Sequence, residues 1–339
     1  MSVLTLMAFA SGAFAAPIAA DEWKAYRDKF LDPSGRIVDT ANNNISHSEG
    51  QGYGLLLAYL ANSRSDFDTI WAFTKMEMLL RDDGLAAWRW DPEATPHVTD
   101  ANNATDGDLL IAYAAALAGR DWQRPDLTTA ATAMAASLAK NSLETVGGSV
   151  VLKPGNSGFG AGDRRDGPVV NPSYWVFEAL PVMASLDPKG QWAQLTDGGN
   201  RVIATSMQIG KSRLPPDWVS LKSKPAAADG FPAEFGYNAI RIPLYLIRAG
   251  SRDRALLESF QKGMADEQGR LRLVDIMTGA TRQTLDDPGY RSIPALIACV
   301  LDKTPLADDI KTFSPTDYYP STLHLLSLAF ARRRHPECL

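Results

Sequence analysis

Apolar residues recur at helical spacing in about a dozen segments of this chain, and that pattern constrains the fold more than any other feature. The segments lie near 21–31, 48–62, 66–80, 104–119, 127–140, 172–186, 190–206, 236–249, 253–264, 290–301, 305–313 and 319–333. Between them run Gly-, Pro- and Asn-rich loops of uneven length, notably 32–47, 84–103, 144–171 and 207–235. Strand is expected only in short pieces such as Ser149 to Leu152 and Leu271 to Val274. An elongated solenoid of helix pairs is the competing architecture, but no repeat of fixed period supports it, and no linker divides the chain. The pattern predicts an all-α fold, a single toroid of helix pairs whose long loops gather on one face and form a cleft.

The 339 residues are 45% apolar, enough for a substantial core. Lys and Arg number 34 against 39 Asp and Glu, a formal charge of −5, and the one basic cluster is Arg332 to Arg334. Nucleic acid is therefore not an expected partner. Eight tryptophans and ten tyrosines supply flat amphipathic rings, which serve as sugar platforms and as core fillers alike. His47, His97, His324 and His335 are scattered without metal-ligand spacing, so neither a metal nor another cofactor is expected. Cys299 and Cys338 are the only cysteines; a disulfide framework is excluded, and one bridge between them is left open. The N-terminus has an apolar run followed by Ala13-Phe14-Ala15, a small-residue pattern like a signal-peptidase site, although it lacks a basic n-region. Residues 1–20 are expected to be a leader, with the mature chain beginning near Ala16 or Asp21 and forming one domain over 21–339. No later apolar run is long enough to span a bilayer, so export to the periplasm or medium is expected, without a membrane span.

Residues 46 to 59 read SHSEGQGYGLLLAY. Ser48 followed by Gln51 has the form of a capping box, which starts a helix here and puts Glu49 in its first turn. Gly50, Gly52 and Gly54 each cost that helix about 1 kcal/mol relative to alanine, so something must offset them. Either another helix packs closely on the glycine face, or the glycines keep a cleft floor low enough for a bulky ligand to reach Glu49. A second stretch, ATDGDLLIAYAAALAGRDW from 104 to 122, places Asp106 and Asp108 at the mouth of another helix, where capping accounts for at least one of them.

Together the two stretches resemble glycoside hydrolase family 8. WRW at 88–90, NPSYW at 171–175, PPDWV at 215–219, FGYNAIR at 235–241 and DYYPSTLHLL at 317–326 extend the resemblance in the family's order through most of the chain. Ala115 and Ala116 depart from it, standing where larger aliphatics are usual. The resemblance implies an (α/α)6 barrel that hydrolyses β-1,4-linked glucan, xylan or chitosan with inversion. In character the chain is nearest the secreted endoglucanases associated with bacterial cellulose synthesis. A β-1,4-glucan is thus the expected substrate, with a functional association with cellulose-synthesis machinery. Chitosan or xylan is the alternative substrate, and a glucan-binding protein that no longer cleaves is a further alternative.

On this resemblance Glu49 is the proton donor and Asp106 sits beside the cleaved ring, orienting the ring or the water. A helix N-terminus favours an ionised carboxylate, whereas a general acid must hold a proton, so burial and a nearby like charge have to outweigh the dipole. Inversion also needs a base on the opposite face, and many members carry an aspartate where this chain has Asn238. An amide is no base, so another carboxylate takes that role, or Asn238 is a disabling substitution, or the protein does not cleave. The first is preferred, with Glu234 ranked before Asp229 and Asp106 third. Pro232 would start a helix on which Glu234 shares a face with Asn238, and Asn238 would hold the water. Arg241, three residues on, is placed to orient a carboxylate. Tyr174, Tyr237, Tyr318 and Tyr319 match family tyrosines near the subsites, and Trp88, Trp90, Trp175 and Trp218 are candidate stacking platforms.

Overall fold

The structure, a computed structural model, describes residues 16–339. Twelve α-helices follow one another among them: α1 Ala20–Phe30, α2 Ser48–Leu60, α3 Arg64–Phe73, α4 Thr105–Asp121, α5 Pro125–Asn141, α6 Leu180–Leu186, α7 Trp192–Ser206, α8 Ile242–Arg248, α9 Arg254–Met264, α10 Pro288–Asp302, α11 Asp308–Lys311 and α12 Tyr318–Arg334. They sort into two environments. In α2, α4, α8 and α12 nearly every residue is buried, on all sides of the helix. Helices α1, α3, α5 and α9 bury a single stripe and expose the rest to water. The even-numbered helices follow one another around a ring, most deeply buried at α2, α4, α8 and α12, with α1, α3, α5 and α9 outside it. Contacts run from α12 to α2, α2 to α4 and α4 to α6, then from α8 to α10 and back to α12; between α6 and α8 the 3-10 turns Pro172–Tyr174 and Ala239–Arg241 meet. The result is an (α/α)6 barrel.

Close approach of α2 and α4 explains the glycines. A Cβ on Gly52 would stand 2.5 Å from Leu110 Cβ and 3.1 Å from the Ile111 backbone nitrogen, and one on Gly107 would stand 2.6 Å from the backbone of Ser48 and Glu49. Gly54 faces Ile37, and Gly50 faces the Tyr318 hydroxyl and the His47 ring. All three glycines of α2 are buried in packing, so the idea that they lower a cleft floor for a ligand is replaced by helix packing. Burial in these contacts offsets the roughly 1 kcal/mol of propensity that each glycine gives up.

Several boundaries differ from the sequence expectation for physical reasons. The cap of α2 is His47, whose Nδ1 accepts from the Gly50 N–H at 2.9 Å, and Ser48 lies inside the helix. Gln51 is not half of a capping box: its amide accepts from Ile37 N at 2.6 Å and donates to Thr74 Oγ1 at 3.0 Å, pinning the 32–47 loop to α2 and to the π-turn Thr74–Met78. The segment 172–186 is broken between its 3-10 turn and α6, because Trp175 turns inward to donate to the Leu195 carbonyl at 3.0 Å. The segment 305–313 keeps only the four residues of α11.

Strands are short and lie in the loops. Ser149–Leu152 and Leu271–Asp275 form where expected; Leu143–Val146 pairs with the first, and Thr281–Leu285 and Glu234–Phe235 flank the second. Cys299 and Cys338 are joined in a disulfide that ties α10 to the C-terminus. Ala13-Phe14-Ala15 lies outside the described residues. Residues just after it pack onto the barrel: Ile18 is fully buried and the Pro17 carbonyl accepts from Arg332 at 3.0 Å. No helix of the described residues is long and apolar enough to cross a membrane.

Candidate active site

Three elements converge on one guanidinium. Arg241, at the end of the 3-10 turn before α8, is 2% exposed; its Nη1 donates to Glu49 Oε1 at 2.8 Å and its Nη2 to Asp106 Oδ2 at 2.6 Å. Glu49 comes from the first turn of α2 and Asp106 from the first turn of α4, so the glycine-mediated contact between these helices sets the spacing of the two acids. Their access to solvent differs. The Glu49 side chain is 19% exposed and that of Asp106 only 2%, with its other oxygen accepting from the Gly107 N–H at 2.8 Å. Burial, and next to it the charge of Glu49, pushes the Asp106 carboxyl up to about 7. One cation serves two acids, and Asp106 holds its proton up to near neutral pH. Glu49 is the more exposed member, the one a ligand can reach.

Asp108, two residues further into α4, is also pushed up to about 7, chiefly by burial. It accepts from the Ala86 N–H at 2.8 Å and the Asn103 amide at 2.9 Å and so fastens the 84–103 loop to α4. That is a structural task, distinct from the pair on Arg241.

Around the pair, Tyr174 lies with the Arg241 guanidinium 5.7 Å over its ring, and Trp218 meets Tyr174 edge-on at 6.1 Å. Trp218 in turn stacks on Phe231 at 4.4 Å and on Phe159 at 5.6 Å, forming an aromatic strip contributed by the 144–171 and 207–235 loops. On another side Tyr319 donates to the Tyr237 carbonyl at 2.8 Å, and Tyr237 is 43% exposed beside Tyr290. Trp88 is half-buried, donating to Asp100 at 2.8 Å, and its carbonyl accepts from the Ser48 N–H at 3.0 Å, one residue from Glu49.

Three expected ring contacts are corrected. Trp175 is fully buried in the core. Trp90 is 9% exposed, covered by His97 at 4.2 Å and by Phe73 at 5.6 Å. Tyr318 is 1% exposed, with Phe30 and His47 against its ring and no partner for its hydroxyl. None of these has a face to offer a sugar.

The expected bases near 230 are also relocated. Glu234 is in a strand opposite Asp275, not on a helix with Asn238, because backbone pairing claims it; its carboxylate accepts from Arg282 at 3.1 Å. Asp229 is exposed on a different turn, where its backbone bonds to Asp166 and Arg164. The carboxylate that meets Asn238 is Asp217, a residue of the PPDWV motif given no role above. Asn238 Nδ2 donates to Asp217 Oδ2 at 3.2 Å, while Asp217 Oδ1 accepts from the N–H groups of Gly236 at 2.8 Å and Ala239 at 2.9 Å. Asp217 is 6% exposed, and burial raises its carboxyl above the usual carboxylate range.

The sequence model of the glycosyl hydrolases of family 8 matches residues 1–333. The chain belongs to that family. A probable endoglucanase of Novacetimonas hansenii is 37% identical over 341 residues, covering 96% of this chain and 97% of the relative. Among solved structures similar to this family 8 chain, the endo-β-1,4-glucanase of Acetobacter xylinum superposes with a TM-score of 0.82 at 35% identity, covering 95% of this chain and 99% of that one. A family 8 endo-β-1,4-glucanase from an Achatina fulica gut metagenomic library gives 0.82 at 33% identity, over 92% and 98% of the two chains.

Proposed function

We propose that this family 8 chain is an exported endo-β-1,4-glucanase that cleaves by inversion, with Glu49 as general acid. The observation that carries the reading is the sharing of Arg241 by Glu49 and Asp106. A cleaved glycosidic oxygen needs a proton delivered to it, and this arrangement sets a partly exposed carboxyl group beside a second, buried acid on one shared guanidinium. Asp106, buried and saturated by Arg241 and Gly107, holds the cation beside Glu49. Tyr174, Trp218, Trp88, Tyr237 and Tyr319 supply the aromatic surface against which pyranose rings stack. The relatives' printed activity, endoglucanase, supports β-1,4-glucan as the polymer.

Export is part of the reading. The disulfide between Cys299 and Cys338 suits an oxidising compartment. Removal of a leader after Ala15, rather than at Asp21, preserves the buried Ile18 and the Pro17–Arg332 hydrogen bond. Association with a cellulose-synthesis apparatus rests on the family resemblance to endoglucanases of that setting.

Reducing-sugar release from carboxymethylcellulose, run beside xylan and chitosan, tests the activity, and proton NMR of the first product tests its anomeric configuration. Glu49→Gln is expected to lower kcat by 10²-fold or more, about the worth of a general acid, while cellohexaose still binds. Equal turnover by that variant refutes the assignment. Because Asn238 leaves the family's usual base position without a carboxylate, the rival is a glucan-binding protein; it predicts binding by the parent protein without release from any of the three polymers.

A further inference from the structure

Of the acids near the site, one has its carboxylate hydrogen-bonded to the side chain at 238. Asp106 has both oxygens engaged and 2% of its side chain exposed, Glu234 faces Arg282, and Asp229 stands on a separate turn. Asp217 remains. Its position is fixed from several directions: its backbone N–H donates to the Glu234 carbonyl at 2.8 Å, Oδ1 takes the N–H groups of Gly236 and Ala239, and Oδ2 takes the Asn238 amide. It thereby clamps the segment that carries both Asn238 and Arg241. The contact also orients the Asn238 side chain. A carboxylate accepts only from the NH2 group, so Nδ2 faces Asp217 and the carbonyl Oδ1 points away from it. Among the described residues Oδ1 receives no hydrogen bond, and Asn238 is half-buried beside exposed Tyr237.

We propose that Asp217 is the terminal proton acceptor of the hydrolysis, reached through the side-chain amide of Asn238. The inference rests on the endoglucanase reading above. In the step, the water oxygen forms a bond to the anomeric carbon as the bond to the leaving oxygen breaks, and Glu49 gives that leaving oxygen its proton. One water proton passes to Asn238 Oδ1 while an Nδ2 proton passes to Asp217 Oδ2, leaving the side chain at 238 as the neutral imidic acid. Return of the proton from Asp217 to Nδ2, with loss of the Oδ1 proton to solvent, restores the amide. Glu49 is then reprotonated from solvent, so the cycle consumes one water and no other reagent. Burial of Asp217 raises its carboxyl, which makes it a stronger acceptor than an exposed carboxylate. The asparagine bridges the short distance that burial of Asp217 puts between it and the water.

The test uses Asp217→Asn and Asn238→Ala in the full chain, with cellohexaose as substrate and sodium azide as an external nucleophile. Azide brings no proton to remove, so it replaces water where the acceptor is missing and leaves Glu49 to protonate the leaving group. Both variants are expected to lose 10²- to 10⁴-fold in kcat, the usual worth of a general base, to retain cellohexaose binding, and to form α-cello-oligosyl azide in azide buffer. Asn238→Ala leaves the backbone contacts of Asp217 intact and remains decisive where Asp217→Asn, which loses an acceptor for two N–H groups, does not fold. The exchange Asp217→Asn with Asn238→Asp returns a carboxylate to the water and is expected to recover at least tenfold over Asp217→Asn. Turnover by either single variant within tenfold of the parent, or loss in both with no azide product, overturns the relay. Parent protein that cleaves no glucan refutes the hydrolase reading itself, a result distinct from active parent with active variants.

Discussion

Gly107→Ala tests whether helix packing sets the catalytic spacing. The added methyl would lie 2.2 Å from Ser48 Oγ and 2.6 Å from both Ser48 C and Glu49 N. The hydroxyl can rotate away, but the backbone atoms cannot, and ordinary contact begins near 3.4 Å. The start of α2 must therefore shift by about 0.8 Å relative to α4, taking Glu49 with it. Overpacking of this kind costs about 1–3 kcal/mol, and a contact against backbone belongs at the upper end; alanine returns up to about 1 kcal/mol of helix propensity, for a net loss near 2 kcal/mol. The displacement acts on chemistry as well, because an error of about 1 Å in a catalytic group can cost 10²-fold in rate. Urea unfolding gives the first quantity and kcat on carboxymethylcellulose the second. Gly162→Ala is the control, since a Cβ there meets nothing within 4 Å. Unchanged stability in Gly107→Ala refutes the packing argument. A stability loss near 2 kcal/mol with kcat unchanged would refute the claim that this contact positions the acid.

Two further outcomes depend on Arg241 and its acids. Arg241→Lys keeps the charge but replaces a two-pronged donor with one ammonium that cannot reproduce both contacts in the same geometry; kcat is expected to fall about 10²-fold, and a value within threefold of the parent refutes the bridging role. With Asp106 pushed up to about 7, its proton is present below that pH and lost above it, so if turnover needs Asp106 protonated, kcat/KM should fall about tenfold per unit on the alkaline side; a flat profile to pH 9 refutes that need. The same groups affect stability with a definite sign. Asp106 and Asp108 hold protons in the folded state at pH values where the unfolded chain has released them, so their contribution to stability falls as pH rises from about 4 to about 7. Unfolding free energies of the parent and Asp108→Asn across that window measure the Asp108 part.

What the sequence made legible was what local physics decides. Helical periodicity located the twelve helices because each buries residues at its own spacing, and α2, α4 and α12 were recognisable even where they are buried all round. Residues whose place depends on distant partners were harder to read. Pro232 argued for a helix at Glu234, yet pairing with Asp275, 41 positions later in the chain, makes that residue a strand. Asp217 lies 19 to 22 residues from the groups it binds, so nothing in the local pattern joins it to Asn238. The inward turn of Trp175 follows from a carbonyl 20 residues downstream. Burial of Trp90 and Tyr318 has the same origin: which aromatic rings face a cleft is settled by tertiary packing, and residue type leaves both outcomes open.

The surroundings of Glu49 are also decided at that level. The start of α2 favours an anion, and the acid role requires a proton. Gly52 and Gly107 bring α4 close enough for Asp106 to share Arg241 with Glu49, so a second acid stands beside the one at the helix start. Arg241 belongs to the same short segment as Asn238, and Asp217 clamps that segment through four hydrogen bonds. The donor and the proposed acceptor are therefore tied to one stretch of backbone, from 236 to 241. On the proposed relay, activity requires two opposite protonation states at once: Asp106 protonated beside Glu49, and Asp217 ionised. The window opens where Asp217 loses its proton, raised by burial from its ordinary value, and closes near 7, where Asp106 loses its own. Asp217→Asn should abolish the acid limb of the profile in azide and leave the alkaline limb in place, since azide needs the donor alone. An acid limb that persists unchanged in that variant would assign it to another group and detach Asp217 from the proton path.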